Sequence, residues 1–292
     1  MLNKKTRFKL KNRTTPVLKV SGSVKVFGNI LLSVIIIAII MPIILTLLYS
    51  FLPSGVIPNI KSFGDIAGNF TWDGYKDVFH QLPFLHIAKN SVFIAFISTA
   101  LQLTVALTTA FALTHWDYPG KDYLFGLIII AMIIPYVSLM IPNYMTVSSL
   151  GMVKKFSGVI VPGIANAYGI FLMRQFFEKV PRSLIEACRI DGGNDLHILL
   201  HVYLPLSLPA ITSLMIILMV ANWNDYQWPL LILQEAENMT LPLALVRFRN
   251  EGLIDWMPTA AACIMTIIPI MLIYLFVQRQ IVDTFASTAT KE

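Results

Sequence analysis

Charge is what this sequence has least of. Only 13% of its 292 residues are Asp, Glu, Lys or Arg, where soluble domains carry about a quarter. Hydrophobic residues make up 56%, and mean hydropathy is +0.70. A chain this apolar cannot cover a globular surface with polar groups, which excludes an ordinary soluble enzyme and a disordered chain. Cysteine is nearly absent. Cys188 and Cys263 alone make neither a disulfide scaffold nor a four-cysteine zinc site. The strict two-residue alternation of a membrane barrel is missing. So is the phosphate-binding pattern G-x-x-x-x-G-K-[ST]: Gly120-Lys121 in YPGKDY lacks the first glycine and the Ser or Thr.

What is present is a set of long apolar runs. A bilayer crossing takes about 20 mostly apolar residues. Six stretches qualify, at about 29–52, 90–113, 123–144, 156–177, 206–233 and 256–277. The fifth is long enough to be bent. Pro42, Pro135, Pro142, Pro162 and Pro269 fall inside these runs, and spanning helices tolerate proline because neighbours re-satisfy the freed carbonyls. The expected fold class is therefore an all-α membrane protein with six transmembrane helices. The first run is read as a retained helix. Its apolar core exceeds that of a signal peptide, and SFLPSG follows it rather than an A-x-A site.

Charge sets the expected orientation. The segment 1–26 holds eight basic residues, Lys4, Lys5, Arg7, Lys9, Lys11, Arg13, Lys19 and Lys25, and no acid. The positive-inside rule makes it cytoplasmic, and six spans return the C-terminus to the same side. That topology puts fifteen basic residues inside and seven outside; Lys154 and Lys155 run against it. A basic stretch just before a span is read as a topology signal facing lipid head groups rather than as a nucleic-acid arm. Three regions follow: the basic segment 1–26, a transmembrane domain 27–282 and a cytoplasmic tail 283–292.

The loop between spans four and five, about 178–205, is unusually structured: FFEKVPRSLIEACRIDGGNDLHILLHVYLPLSLPA. Pro181 suits the first turn of a helix over 183–191, and Gly192-Gly193 stand where a left-handed cap would end it. A second short helix is expected over 195–203, stopped by Leu204-Pro205. Leu184, Ala187 and Cys188 can share an apolar face, and Glu186 and Arg189 are spaced to pair. A short amphipathic helix on the cytoplasmic face suits a partner groove.

Glu186-Ala187, Asp191-Gly192 and Leu204-Pro205 resemble the EAA loop of ABC importer permeases: E-A-A, three residues, G, nine residues, I or V, one residue, L-P. Gly192 follows Cys188 after three residues, and nine residues separate it from Val202. Position 188 holds Cys where the family usually has Ala, a small hydrophobe for a small hydrophobe. GIFLMRQFF (169–177), Trp223-Asn224 with Pro229-Leu230, and YLFVQR (274–279) are similar to flanking segments of carbohydrate permeases. The match covers about 25–282 and points to the shorter permease of maltose-type importers. The tail TFASTATKE departs from the Gly-rich basic ending common there.

The resemblance implies a coupling helix between spans four and five, seated in a cleft of a cytoplasmic ATPase subunit. Glu186, Ala187, Cys188, Arg189, Asp191, Gly192, Leu204 and Pro205 would make that coupling element. It further implies a non-catalytic subunit of a bacterial cell membrane, with both termini cytoplasmic. Its partners would be a second permease, two ATPase subunits and an extracellular or periplasmic sugar-binding protein. ATP and Mg would sit on the ATPase subunits, with no cofactor on this chain.

Polar and aromatic side chains inside the spans suggest where a sugar could pass. Asn143, Asn166, Tyr168, Asn222, Trp223 and Asn224 combine planar hydrogen-bonding groups with aromatic faces; gluing helices together is the competing role. The outer loops 53–89, with Trp72, Tyr75, Phe79 and Phe84, and 225–255 are the expected surface for the binding protein. His197 and His201 stand at i and i+4 but lack the glutamate of a metalloprotease helix, so no metal site is assigned. The alternative is a secondary carrier or channel without an ATPase, which would show inverted repeats.

Overall fold

The computed structural model describes residues 22–53, 63–250 and 256–289. The basic segment up to residue 21, residues 54–62 and 251–255 of the loops expected to face outward, and the last three residues lie outside the described residues. The chain divides into two units, Met1–Leu45 and Thr46–Glu292.

Every described element is helical. Helix α1 (Gly22–Tyr49) contains Pro42 and no charged residue from Val26 to Tyr49, the stretch that qualifies as a span. Short helices α2 (Phe63–Gly68) and α3 (Asp73–Gln81) precede α4 (Phe84–His115). At 32 residues, α4 is about 48 Å long, and the second unit is built around it. Helices α5 (Lys121–Ile133) and α6 (Tyr136–Ser149) follow, then α7 (Phe156–Ile160) and α8 (Ala167–Phe177). Next come α9 (Arg182–Ile190), α10 (Asp195–Ile198), α11 (Leu204–Leu206), α12 (Leu208–Asn224) and α13 (Gln227–Ile232). Helices α14 (Leu241–Asn250) and α15 (Trp256–Ala289) end the described chain.

Among the described residues, four helical stretches are long and apolar enough to cross a membrane: Val26–Tyr49, Phe84–His115, Leu208–Ile232 and Trp256–Leu275. Two bent pairs bring the total to as many as six. The third apolar run is not the continuous helix its hydropathy suggests. Between α5 and α6 it turns by 104°. Ile134 and Pro135 both take extended backbone, with ψ 121° and 127°. Proline disfavours the helical region for the residue before it, so Ile134 leaves the helix and Pro135 starts a new direction. Pro42, Pro142 and Pro269, by contrast, sit inside continuous helices. The fourth run bends by 42° between the turn ending at Gly163 and α8, where the extended Asn166 caps α8 by accepting the Gly169 N–H at 2.8 Å. The fifth run breaks at Asp225-Tyr226. There the Asp225 carboxylate accepts the N–H groups of Gln227 and Trp228 and opens α13.

α4 packs against α8 and α12, and α12 in turn against α15. Two apolar clusters occupy the two ends of this bundle. One gathers Ala106, Ala110 and Phe111 of α4 with Met173 and Phe177 of α8 and Leu214 of α12. The other gathers Ile87 and Ile94 of α4 with Ile160, Trp223, Trp228 and Ile232. Between them, at the middle of α4, lie the buried polar residues Ser98, Thr99 and Gln102.

Candidate functional site

The segment between α8 and α12 forms a compact unit, exposed over much of α9 and buried at Ile198, Leu199, Val202 and Tyr203. Pro181 stands just before α9, as the residue whose fixed φ starts it. The helix closes on the diglycine. Gly192 takes φ +85°, its N–H is donated to Arg189 O at 3.0 Å, and the Gly193 N–H is donated to Cys188 O at 2.9 Å. That pair of bonds is a Schellman closure, with the left-handed residue at the position glycine favours. Asn194 then caps α10, accepting the His197 N–H at 2.8 Å. The helix does not stop at Leu204-Pro205. A wider turn over Leu199–Tyr203 joins α10 to α11, with the Leu204 N–H reaching Leu199 O. Pro205 has no N–H to offer, so the ladder loosens just ahead of it and the helix continues to Leu206.

α9 has two sides. Ile185 and Cys188 pack against the apolar cluster at this end of the bundle. Leu184, Ala187 and Ile190 are exposed, Ile190 at 86%. Cys188 therefore does not share the outward face with Leu184 and Ala187. Glu186 is exposed, and it does not pair with Arg189 as their spacing suggested. The Arg189 guanidinium instead meets Asp195 at 3.1 Å, because the Schellman turn folds α10 back beside it. Glu186 and Arg189 both border a cavity of about 440 Å³ that also takes in His115, Lys121 and Arg182. Asp191, Gly192 and Pro205 are exposed, and Leu204 is half-buried against the core.

Sequence patterns gave no hint of Asp195. Its carboxylate accepts the Trp116 indole N–H at 3.0 Å and lies 3.2 Å from His115 Nε2. The indole hydrogen bond is the main reason its carboxyl sits below the usual carboxylate range. A local signal was absent because His115 and Trp116 lie 79 or 80 positions away.

His197 and His201 stack with centroids 3.9 Å apart, and no cluster of three metal-binding side chains occurs among the described residues. On α3 and beside it, Trp72 and Tyr75 join Phe51 and Phe70 in an aromatic group, with Trp72 58% exposed.

The second constellation is a cavity of about 680 Å³ beside the middle of α4. Asn143, Asn166, Asn222 and Asn224 line it, with Gln102 and Tyr226. Trp223 is not among its lining residues; it is 2% exposed and belongs to the core. Tyr168 also lies off the cavity, on an exposed face. Helical periodicity alone could not sort these neighbours, since it fixes relative faces but not which face the bundle buries. Asn222 and Gln102 form a paired amide. Asn222 donates to Gln102 Oε1 at 2.9 Å and to Thr99 Oγ1 at 3.0 Å, and Gln102 donates to Gly163 O at 3.0 Å. Thr240 borders the same cavity with a buried Oγ1 that has no partner among the described residues.

The amide pair has a measurable consequence. Asn222→Leu leaves the buried Gln102 amide oxygen without its donor and should lower unfolding stability in detergent by about 1 kcal/mol. Adding Gln102→Leu removes the second amide and should recover part of that loss, since the Gly163 carbonyl then loses its donor. A double variant whose loss equals the sum of the single losses would show that the two amides do not act as a pair.

The family model described as "Binding-protein-dependent transport system inner membrane component" matches residues 102–285. The sn-glycerol-3-phosphate transport system permease protein UgpE of Pectobacterium atrosepticum is 28% identical over 267 residues, 87% of this chain and 93% of that protein. Its Shigella flexneri counterpart is 32% identical over 205 residues, 70% of this chain and 73% of that protein. A chain of a bacterial ABC transporter involved in importing the acidic polysaccharide alginate superposes with a TM-score of 0.77, at 25% identity over 89% of this chain and 98% of that one. A chain of the MetNI methionine ABC transporter shares the fold at TM-score 0.51 and 17% identity, over 69% of this chain and 98% of that one.

Proposed function

This chain belongs to the family of binding-protein-dependent transport system inner membrane components, and from that premise we propose that it is one permease subunit of an ATP-driven importer for a neutral sugar or oligosaccharide. It supplies half of the translocation path. An external binding protein delivers the cargo, a homologous second permease completes the path, and two cytoplasmic ATPase subunits, holding ATP and Mg, do the work. A conformational change needs a ligand that binds the two states differently, and nucleotide on the partners meets that need. α9 is the element that would receive the motion, on the side of Leu184, Ala187 and Ile190.

The observation that carries the reading is the closure of α9: a left-handed Gly192 and an exposed Glu186 with no ion pair among the described residues, at the positions of the EAA-like pattern. The cavity speaks to the cargo. Asparagine, glutamine and aromatic side chains border it, and among its described lining residues Asp225 is the charged one, with no Lys or Arg. An anionic cargo would meet a carboxylate and no cation at low dielectric, which is repulsive. A neutral polyol would meet amides that can donate and accept. The named relatives belong to transporters of a phosphate ester or an acidic polysaccharide; the half of the path lined here offers such a cargo no cation among its described residues.

The test is reconstitution. This chain, purified with its genomic neighbours, should bring down an ATPase and a second permease. In proteoliposomes the complex should take up neutral oligosaccharides, only with ATP and the binding protein, and should take up acidic ones poorly. Sugar uptake by this chain alone, driven by an ion gradient, would establish the secondary-carrier alternative instead.

A further inference from the structure

The link between α9 and the bundle contains a weak point. Gly192 and Gly193 join α9 to α10, and glycines hold a backbone direction poorly because they have the most conformational freedom to lose. A force applied to the exposed side of α9 would strain the chain there, where the packing of Ile185 and Cys188 and the Schellman bonds hold it, and a polar bridge would stiffen it further. Asp195 supplies that bridge. Its Oδ1 meets the Arg189 guanidinium of α9 at 3.1 Å, and its Oδ2 accepts the Trp116 indole N–H at 3.0 Å. His115 Nε2 lies 3.2 Å from both Asp195 Oδ1 and Arg189. Arginine can only donate, so the His115 nitrogen either accepts from Arg189 or donates to Asp195, and the cluster closes in either tautomer.

The far side of this cluster is packed into the bundle. The His115 side chain is 3% exposed. It stacks on Phe111 with centroids 4.6 Å apart, and Phe111 meets Tyr203 edge-on at 5.2 Å. Phe111 belongs to α4, and Tyr203 leads through α11 into α12. Charge-assisted hydrogen bonds are about twice as strong as neutral ones, and the Asp195 carboxylate stays ionised at neutral pH.

We propose that Asp195 is a positioning residue, a latch that fastens α9 across the diglycine to the cytoplasmic end of α4, so that displacement of α9 moves α4 and α12 as one body. The inference rests on the permease reading above and adds to it the route by which motion leaves α9. The side chain touches neither cargo nor nucleotide.

The experiment uses the whole importer in proteoliposomes, with every rate normalised to assembled complex. The readouts are the maximal ATPase rate stimulated by loaded binding protein and the concentration of binding protein that half-saturates it. Asp195→Asn and Trp116→Phe should each lower the stimulated maximum by about fivefold or more, within the usual range of coupling between sites. The half-saturating concentration should stay put, because docking of the binding protein is remote from the latch. Combining the two should cost little more than Asp195→Asn alone, since Trp116→Phe removes a contact that the Asp195 change already weakens. Reduced assembly would mark a merely structural role, whereas a lower stimulated rate per assembled complex marks the latch. Parental stimulation in both single variants overturns the latch and leaves the permease reading intact. So do fully additive losses. Failure of the unaltered chain to bring down any ATPase overturns the permease reading, and the latch with it.

Discussion

Gly193→Val is expected to abolish cargo uptake by the assembled importer, and Gly193→Ala to lower it by about tenfold or more. A β-carbon at Gly193 would stand 2.7 Å from Cys188 Sγ, 2.8 Å from Cys188 O and 3.2 Å from His197 Cδ2. The thiol could rotate away, but the carbonyl could not. It is the acceptor of the Gly193 N–H itself, so relieving the clash breaks the bond that closes α9. Overpacking of this kind costs roughly 1–3 kcal/mol, and here it also re-aims the helix proposed to receive the ATPase. Gly192 differs in cause. No atom lies within 4 Å of a β-carbon placed there, so its penalty is the left-handed backbone alone, about 1–2 kcal/mol. Gly192→Asn should therefore be milder than Gly193→Ala, because asparagine tolerates that conformation. The measurements are uptake, stimulated hydrolysis and the amount of ATPase retained on purification. Parental uptake by Gly193→Val would show that the closure of α9 is dispensable.

That contrast also marks where the sequence was legible. The diglycine announced a left-handed cap, and Gly192 takes it. Which glycine suffers more from a side chain depends on the Cys188 carbonyl, a tertiary detail that no pattern reports. Apolar runs located the long helices, because desolvation of a whole stretch is a sum over many residues. Bends were less legible. Pro135 breaks its run by 104° while Pro42, Pro142 and Pro269 do not break theirs. All four remove a backbone donor; the outcome depends on whether the preceding residue stays helical. Pairing at three-residue spacing misled for the reason that defeats local rules generally. Glu186 could reach Arg189 along the helix, but the turn brought Asp195 closer to it. Among the path candidates, the asparagines converged on one cavity, while Trp223 was taken by the core it fills best.

Glu186→Ala is expected to lower stimulated ATP hydrolysis and cargo uptake together, each by about tenfold to a hundredfold. The side chain is exposed and carries no ion pair among the described residues, so its removal leaves no charge stranded within this chain. Any large effect must come from something that binds it. A charge-assisted contact across an interface is worth roughly 1.5–3 kcal/mol, which sets that range at 1.4 kcal/mol per factor of ten. Glu186→Gln separates charge from shape. If a cationic group of the ATPase is the partner, Gln should recover little, and raising ionic strength should weaken the parent but not the variant. If packing alone matters, Gln should restore most of the activity. The neighbouring Arg182 and Arg189 bear on the sign. Both border the cavity beside Glu186, so losing the acid leaves that cavity more cationic and less welcoming to an incoming arginine or lysine. Glu186→Lys should then be worse than Ala, with ATPase lost on purification. Uptake that falls while stimulated hydrolysis holds would move the defect into the path beside α4. Parental rates in both would remove Glu186 from coupling altogether.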